Sequence, residues 1–358
     1  MKTRHLLVAT ALLALAACGG GDRETADSAG AQASGGVDLT GAGATFPYPI
    51  YSKWFADYAA KTGVKINYQS IGSGGGIRQI SEQTVDFGAT DGPMSDEEMG
   101  KAKGGPILHF PTVIGAVAIT YNVPGLDQPL RLDGPAIGDL FLGRITKWND
   151  ARLMALNPGV TLPDADVLVV HRSDGSGTTY VFTDYLTAAS PAWKAGPGRG
   201  KEIQWPVGLG GKGNEGVAGQ VKQTPGAIGY VELAYAKQNR MAVAAVRNAA
   251  GQFVLPSAEG ATAAAEGALA SLGATTDYRV SIVNAPGAAA YPISSMTWLL
   301  VYRHQADAQK GQKLRDFLRW AYTEGEQQAA ALDYAPLPDA IIQRLVARLD
   351  SVAVGSAP

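Results

Sequence analysis

One cysteine, four histidines and no long apolar run set the first limits on this 358-residue chain. Cys18 stands alone, so no intramolecular disulfide can form, and a CxxC redox pair or a cysteine-based zinc site is excluded. The histidines, His5, His109, His171 and His304, are scattered. A metallophosphatase needs clustered His and Asp ligands, and a hydrolase needs a base beside its nucleophile; neither is evident. No stretch reaches the ~20 apolar residues of a membrane-spanning helix. No basic run stands out, and 30 Lys and Arg face 32 Asp and Glu. A nucleic-acid partner requires a dense phosphate-neutralising surface, so that class is excluded as well. No metal or other cofactor is expected.

What is present begins with a targeting segment. Lys2 and Arg4 give a positive start, and the apolar stretch from Leu6 to Ala17 is interrupted only by Thr10. It is too short to span a bilayer and suits a signal-peptide core, so residues 1–17 are read as a signal peptide. Leu15-Ala16-Ala17-Cys18 resembles the bacterial lipobox, in which cleavage precedes a cysteine that is then acylated. Residues 18–36 follow as that lipidated Cys18 and a tether, "GGGDRETADSAGAQASGG", without an aromatic, Val, Ile or Leu. Such a segment cannot bury enough surface to offset its ordering entropy. A Gly-rich coil of that length reaches about 25 Å. The expected arrangement is a folded body held just off a membrane by its lipid. Removing the leader takes Lys2 and Arg4, leaving 28 basic against 32 acidic residues, a net of −4.

From Val37 onward strand-like and helix-like segments alternate, the signature of an α/β fold. "VKINYQS", "TVDFGATD" and "DVLVVHR" read as strands. "PYPIYSKWFADYAAKTG" places Ile50, Tyr51, Trp54, Phe55 and Tyr58 on one helical face, with Pro47 near its start and Gly63 past its end. Those aromatics resemble a ligand stripe, but their spacing marks them as core.

The turns carry the functional signal. "TGAGATFP", "IGSGGGIRQI" and "RSDGSGTTYVF" each lead into a helix, and each is rich in Gly and hydroxyls. A helix N-terminus presents unpaired N–H groups and the positive end of the macrodipole, where phosphate and sulfate bind well. In open α/β sheets ligands sit beyond the carboxyl ends of the strands. One Gly/Ser turn is a common connector; three in one chain point to an anion. Arg172 can fork two N–H bonds onto a tetrahedral oxyanion, with Asp174 bracing it; the competing reading is a surface ion pair. Asp91 ends "VDFGATD" and repels an anion unless the ligand carries a proton to donate. Phosphate does near neutral pH and sulfate does not, so Asp91 would reject the latter. Otherwise it is a turn residue before Gly92-Pro93.

"TGAGATFP", "YQSIGSGGGIRQI", "VDFGATD", "PTVIGAVAITYNVPG", "SDGSGTTYVF", "GLGGKGNEGVAGQV", "GAIGYVE" and "DYAPLPD" follow one another as in a known family. Over about Leu39 to Asp339 the chain resembles the phosphate-binding proteins (PstS type) of bacterial ABC phosphate importers. The resemblance implies a two-lobed, type II periplasmic-binding-protein fold, each lobe a mixed sheet flanked by helices and the two joined by hinge crossovers. Lobe I would hold 37–118 plus 292–358 and lobe II 119–291. It implies high-affinity capture of inorganic phosphate outside the cytoplasmic membrane, delivery to a membrane permease, and a monomer. Its ligand set falls on Thr45, Phe46 (backbone only), Ser73, Asp91, Arg172, Ser176, Gly177 and Thr178, with Asp174 holding Arg172. Two neighbours depart from the pattern. Gly74 stands where a second serine can occur, and His171 replaces a second arginine.

Rival classes fit less well. The G-x-S-x-G elbow of a serine hydrolase needs glycines two before and two after the nucleophile. Around Ser176 those positions hold Asp174 and Thr178. No GKS or GKT exists for a P-loop, and "GGKGNEG" offers a lysine without the hydroxyl. The chain is therefore expected not to be an enzyme, a phosphate-ester hydrolase included. Within the binding class, a receptor for sulfate or molybdate is the alternative that Asp91 argues against.

Overall fold

The computed structural model describes residues 39–126, 128–269 and 277–355. The expected signal peptide, Cys18 and the tether lie outside them. Helix α1, Tyr48–Thr62, forms where the apolar spacing predicts it, with Ile50, Tyr51, Trp54, Phe55 and Tyr58 all buried. Pro47 occupies its N-cap and Gly63 its C-cap. Gly63 has φ 75°, a left-handed turn that costs glycine nothing and lets its N–H bond Ala59 O at 2.8 Å. The aromatic face is core, as its spacing implied. Phe55 and Tyr58 meet Phe317 of α5 (Ala308–Thr323) with ring centroids 5.4 and 5.3 Å apart. Each such pair adds about 0.5–1.5 kcal/mol beyond the area it buries.

A nine-stranded sheet organises the rest. Its strands are β1 (Leu39–Gly43), β2 (Ile66–Ser70), β3 (Phe87–Thr90), β4 (Ile107–Tyr121), β5 (Leu168–Arg172), β6 (Leu209–Gly211), β7 (Ala227–Glu232), β8 (Ala242–Val243) and β9 (Ser294–Tyr302). The spatial order is β2-β1-β3-β9-β4-β7-β5-β6, with β8 beside β4. Strands β2, β1 and β3 are parallel, as are β7, β5 and β6. Between these groups run β9 and β4, antiparallel to each other and to their outer neighbours. Strand β4 is buried almost throughout, so it reads as one apolar run rather than an alternation. Its first part pairs β9, its last five residues pair β7, and Val117 N–H bonds Ile293 O at 2.8 Å where the partners change. The register slips where Thr297 pairs Val113 and Trp298 pairs Pro111, a β-bulge that leaves Thr112 of β4 as the extra residue.

Helices α2 (Ser73–Ser81), α3 (Gly177–Ala189) and α4 (Gly213–Gln223) follow β2, β5 and β6. With α1 after β1, four helix N-termini thus lie beyond the carboxyl ends of parallel strands.

Candidate functional site

Each predicted turn opens a helix as expected, and none of α1, α2 or α3 has an acidic residue in its first turn. α1 and α2 also lack any side-chain cap. Their positive ends are therefore uncompensated by the helices' own sequences. At α3, Ser176 is the N-cap: its Oγ accepts from Thr179 N–H at 3.0 Å, while its own proton stays free to donate.

The turns meet although they lie far apart in sequence. Gly74 N–H donates to Gly175 O at 2.8 Å. Gly177 comes so near the opposite turn that a Cβ there would lie 2.5 Å from both Asp91 Oδ2 and Ser73 Oγ. Only glycine fits that approach. Thr45, Phe46, Ser73, Asp91, Arg172, Ser176 and Thr178 are all buried. Asn214 links Thr45 to Thr178, Arg172 bonds Thr178 and Asp174, and Asp91 meets Ser73 and Gly177. The predicted ligand loops thus come together, with Phe46 and Ser176 next to Thr45 and Gly177 in the chain.

Arg172 ends β5 and is 3 % exposed. Its Nε and Nη2 fork onto Asp174 Oδ1 and Oδ2 at 2.8 and 2.6 Å, and Nη1 reaches Thr178 Oγ1 at 3.3 Å. Asp174 Oδ1 also accepts from Gly213 N–H at 3.0 Å. Burial works to raise the Asp174 carboxyl, but the Arg172 bonds and charge and the Gly213 amide outweigh it, so its pKa falls below the usual value. The pair is a buried fork and not a surface contact.

Asp91 faces the other way electrostatically. Burial pushes its carboxyl up to about 7, against Thr297, Arg172 and Ser73, which all favour the charged form. Thr297 Oγ donates to Oδ1 at 2.8 Å, Ser73 Oγ lies 3.4 Å from Oδ2, and Asp91 N–H donates to Ser73 Oγ at 3.2 Å. Oδ2 is thus the oxygen turned towards Ser73 and Gly177. It is the group able to take a proton from a ligand held there.

The hydroxyls are set up as donors. A hydroxyl has one proton and two lone pairs. Thr45 Oγ accepts from Asn214 Nδ2 at 2.8 Å and from Asn214 N–H at 3.3 Å. Thr178 Oγ accepts from Arg172 Nη1 and, at 3.2 Å, from the same Asn214 amide. With their lone pairs engaged, both threonines have a proton left for an anion. Behind the Thr45-Phe46 turn, the Tyr235 and Tyr334 hydroxyls donate to Thr45 O and Phe46 O, each at 2.6 Å.

Asn214, Thr297, Tyr235 and Tyr334 are participants that sequence reasoning missed. Asn214 lies in "GLGGKGNEGVAGQV" near the start of α4, where an Asn among glycines was the available signal. His171 stacks on Trp205 with centroids 4.7 Å apart and planes at 11°, and Nδ1 lies 2.9 Å from Arg172 O. It serves to hold the strand end. Gly74 uses its amide, in the contact with Gly175. Among the described residues no group of three or more His, Cys, Asp or Glu is placed to hold a metal ion.

Comparison with known proteins gives consistent results. A family model described as a PBP superfamily domain matches residues 27–324. The chain is 49% identical over 312 residues to "Phosphate-binding protein PstS" of Xylella fastidiosa (strain 9a5c), covering 87% of this chain and 84% of that protein. It is 47% identical to the protein of the same name from Pasteurella multocida (strain Pm70), covering 87% and 89%. Among solved structures, a phosphate-binding protein from Stenotrophomonas maltophilia superposes with a TM-score of 0.70 at 20% identity, covering 87% and 93%. That likeness bears on the fold, which is the α/β arrangement expected from the sequence.

Proposed function

Because this chain belongs to the PstS-type phosphate-binding proteins of the PBP superfamily, we propose that it captures inorganic phosphate outside the cytoplasmic membrane and delivers it to the permease of an ABC importer. The observation that carries this reading is the pairing, in one buried cluster, of inward-directed donors with a single acceptor. Thr45, Ser73, Ser176 and Thr178 supply hydroxyl protons. Phe46, Ser73, Gly177 and Thr178 supply backbone N–H groups at helix starts, and Arg172 supplies charge. Asp91 Oδ2 accepts the proton that phosphate carries and sulfate lacks.

In this reading 37–118 with 292–358 form one lobe and 119–291 the other, hinged in β4 and β9. The contacts straddling that division support a closed arrangement. Lys201 Nζ reaches Pro93 O at 3.0 Å and Glu98 Oε2 at 2.8 Å, and Arg279 Nη1 reaches Met94 O at 2.9 Å. A ligand touching both lobes would favour closure by its extra contacts there. The chain acts as a binding protein without catalysis, a monomer tethered to a membrane through a lipid on Cys18.

Titration of the purified protein should show tight phosphate binding that a large excess of sulfate does not displace. The same protein should release no phosphate from p-nitrophenyl phosphate. Turnover of that ester, or displacement by sulfate at neutral pH, overturns the reading.

A further inference from the structure

We propose that Thr297, whose hydroxyl is set against Asp91 Oδ1 by the pairing of β9 with β3, is a specificity-determining residue that keeps Asp91 an acceptor and so sets the pH range of sulfate exclusion. The inference rests on the phosphate-receptor reading and deepens it.

Trp298 of β9 pairs Thr90 at the end of antiparallel β3, so Thr297 stands at the next position, across from Asp91. On the other edge of β9 the register slips and β4 carries an extra residue, Thr112; bulges re-aim side chains and recur beside functional sites. Thr297 is fully buried, with its Oγ 2.8 Å from Asp91 Oδ1 and 3.3 Å from Thr90 O. A hydroxyl has one proton, and the shorter contact, to a group that can carry charge, takes it. The bonded residue is itself held: Thr112 Oγ donates to Thr297 O at 3.2 Å, and Tyr51 OH lies 2.7 Å from Thr112 Oγ. With Oδ1 engaged, Oδ2 alone is left to face Ser73 and Gly177.

The consequence is electrostatic. Asp91 is acted on by Arg172 from β5 and Ser73 from α2, and it shares the site with Tyr51, Tyr68, Tyr334 and Glu232, all of whose pKa values burial raises. Of the groups favouring its charged form, Thr297 has the largest effect, ahead of the Arg172 charge. Without that bond, burial would keep Asp91 protonated to higher pH. A protonated Asp91 donates where it should accept, and a ligand that has no proton is then no longer refused.

The test compares Thr297→Val, which keeps the shape and removes the donor, with Thr297→Ser, which keeps it. A hydrogen bond to a charged group corresponds to roughly one to two pKa units. In wild type, sulfate should begin to compete with phosphate only as pH falls below about 7, where Asp91 titrates. T297V should admit sulfate about one to two pH units higher. T297S should behave as wild type, and raising the pH should restore exclusion in T297V. Carboxyl NMR of Asp91 in phosphate-free protein gives a second readout, and its midpoint should move up in T297V. An unmoved midpoint, an unchanged sulfate profile, or failure of serine to restore it overturns the proposal. Should valine prevent folding, Thr297→Ala is read by the same measures. If wild-type protein does not bind phosphate, the receptor reading fails instead, and the NMR midpoint still decides whether Thr297 holds Asp91.

Discussion

Two aspartates feel the same guanidinium, and their pKa values are shifted in opposite directions. Asp174 lies in the turn after β5 with both oxygens forked by Arg172 and an amide on one of them, and its pKa is lowered. Asp91 closes β3, is more deeply buried, has hydroxyls for partners and feels Arg172 only at a distance; its pKa rises to about 7. The difference separates two tasks. A carboxylate saturated by bonds is a permanent counter-charge. A carboxylate stripped of water and left with one open oxygen can exchange a proton with whatever arrives.

The strongest way to break this comparison is to remove the charge both feel. Arg172→Ala deletes one partner of a buried charge pair, a change that costs roughly 2–5 kcal/mol, so phosphate affinity should fall from about thirtyfold to several thousandfold in calorimetric titration. Next comes Asp174→Ala, which strands Arg172 in a buried place. Chemical unfolding should show a loss of about 3–5 kcal/mol. Asp91→Asn sharpens the contrast through pH. Its folded value of about 7 exceeds its unfolded value near 4, so the native state holds more protons between them. Wild-type phosphate-free protein should therefore lose stability as pH rises from about 4 to 7, tenfold per unit in the unfolding constant. Asp91→Asn should lack that slope and should also narrow the phosphate-to-sulfate ratio. Asp174 gives the opposite sign: its stabilisation is present above an unfolded value near 4 and is lost as pH falls through its lower folded value. The smallest effect belongs to Lys53→Ala. Its ion pair with Asp57 is 2.7 Å long, near the 2.6 Å of Arg172 with Asp174, but it is exposed, and the unfolding midpoint should not move.

The parts of this site that were legible in the sequence are those encoded locally. Thr45, Ser73, Ser176 and Thr178 stand in turns whose glycines, hydroxyls and following helical periodicity are adjacent in the chain. The Arg172–Asp174 fork spans two positions. The parts that were missed depend on contacts between distant positions. Asn214 reaches Thr45 across 169 residues, Thr297 reaches Asp91 across 206, and Tyr334 reaches Phe46 across 288. No local pattern announces that Thr297 faces Asp91, because that placement exists only in the pairing of β9 with β3. Glu232 is a similar case. It was visible as the end of "GAIGYVE", but only the fold shows a fully buried carboxyl that caps Ala234 N–H at 2.8 Å, raised by burial well above its ordinary value.

The two central strands that pass between the halves lie side by side and are bonded to each other along nine residue pairs. A ribbon so laced resists sliding lengthwise while still able to twist. If the two proposed lobes open, so continuous a pairing favours rotation about it over sliding along it, and closure would return Arg172 and Asp91 to the same separation. On the proposed reading, the selectivity of the cage would be reproduced at every closure by the stiffness of that ladder.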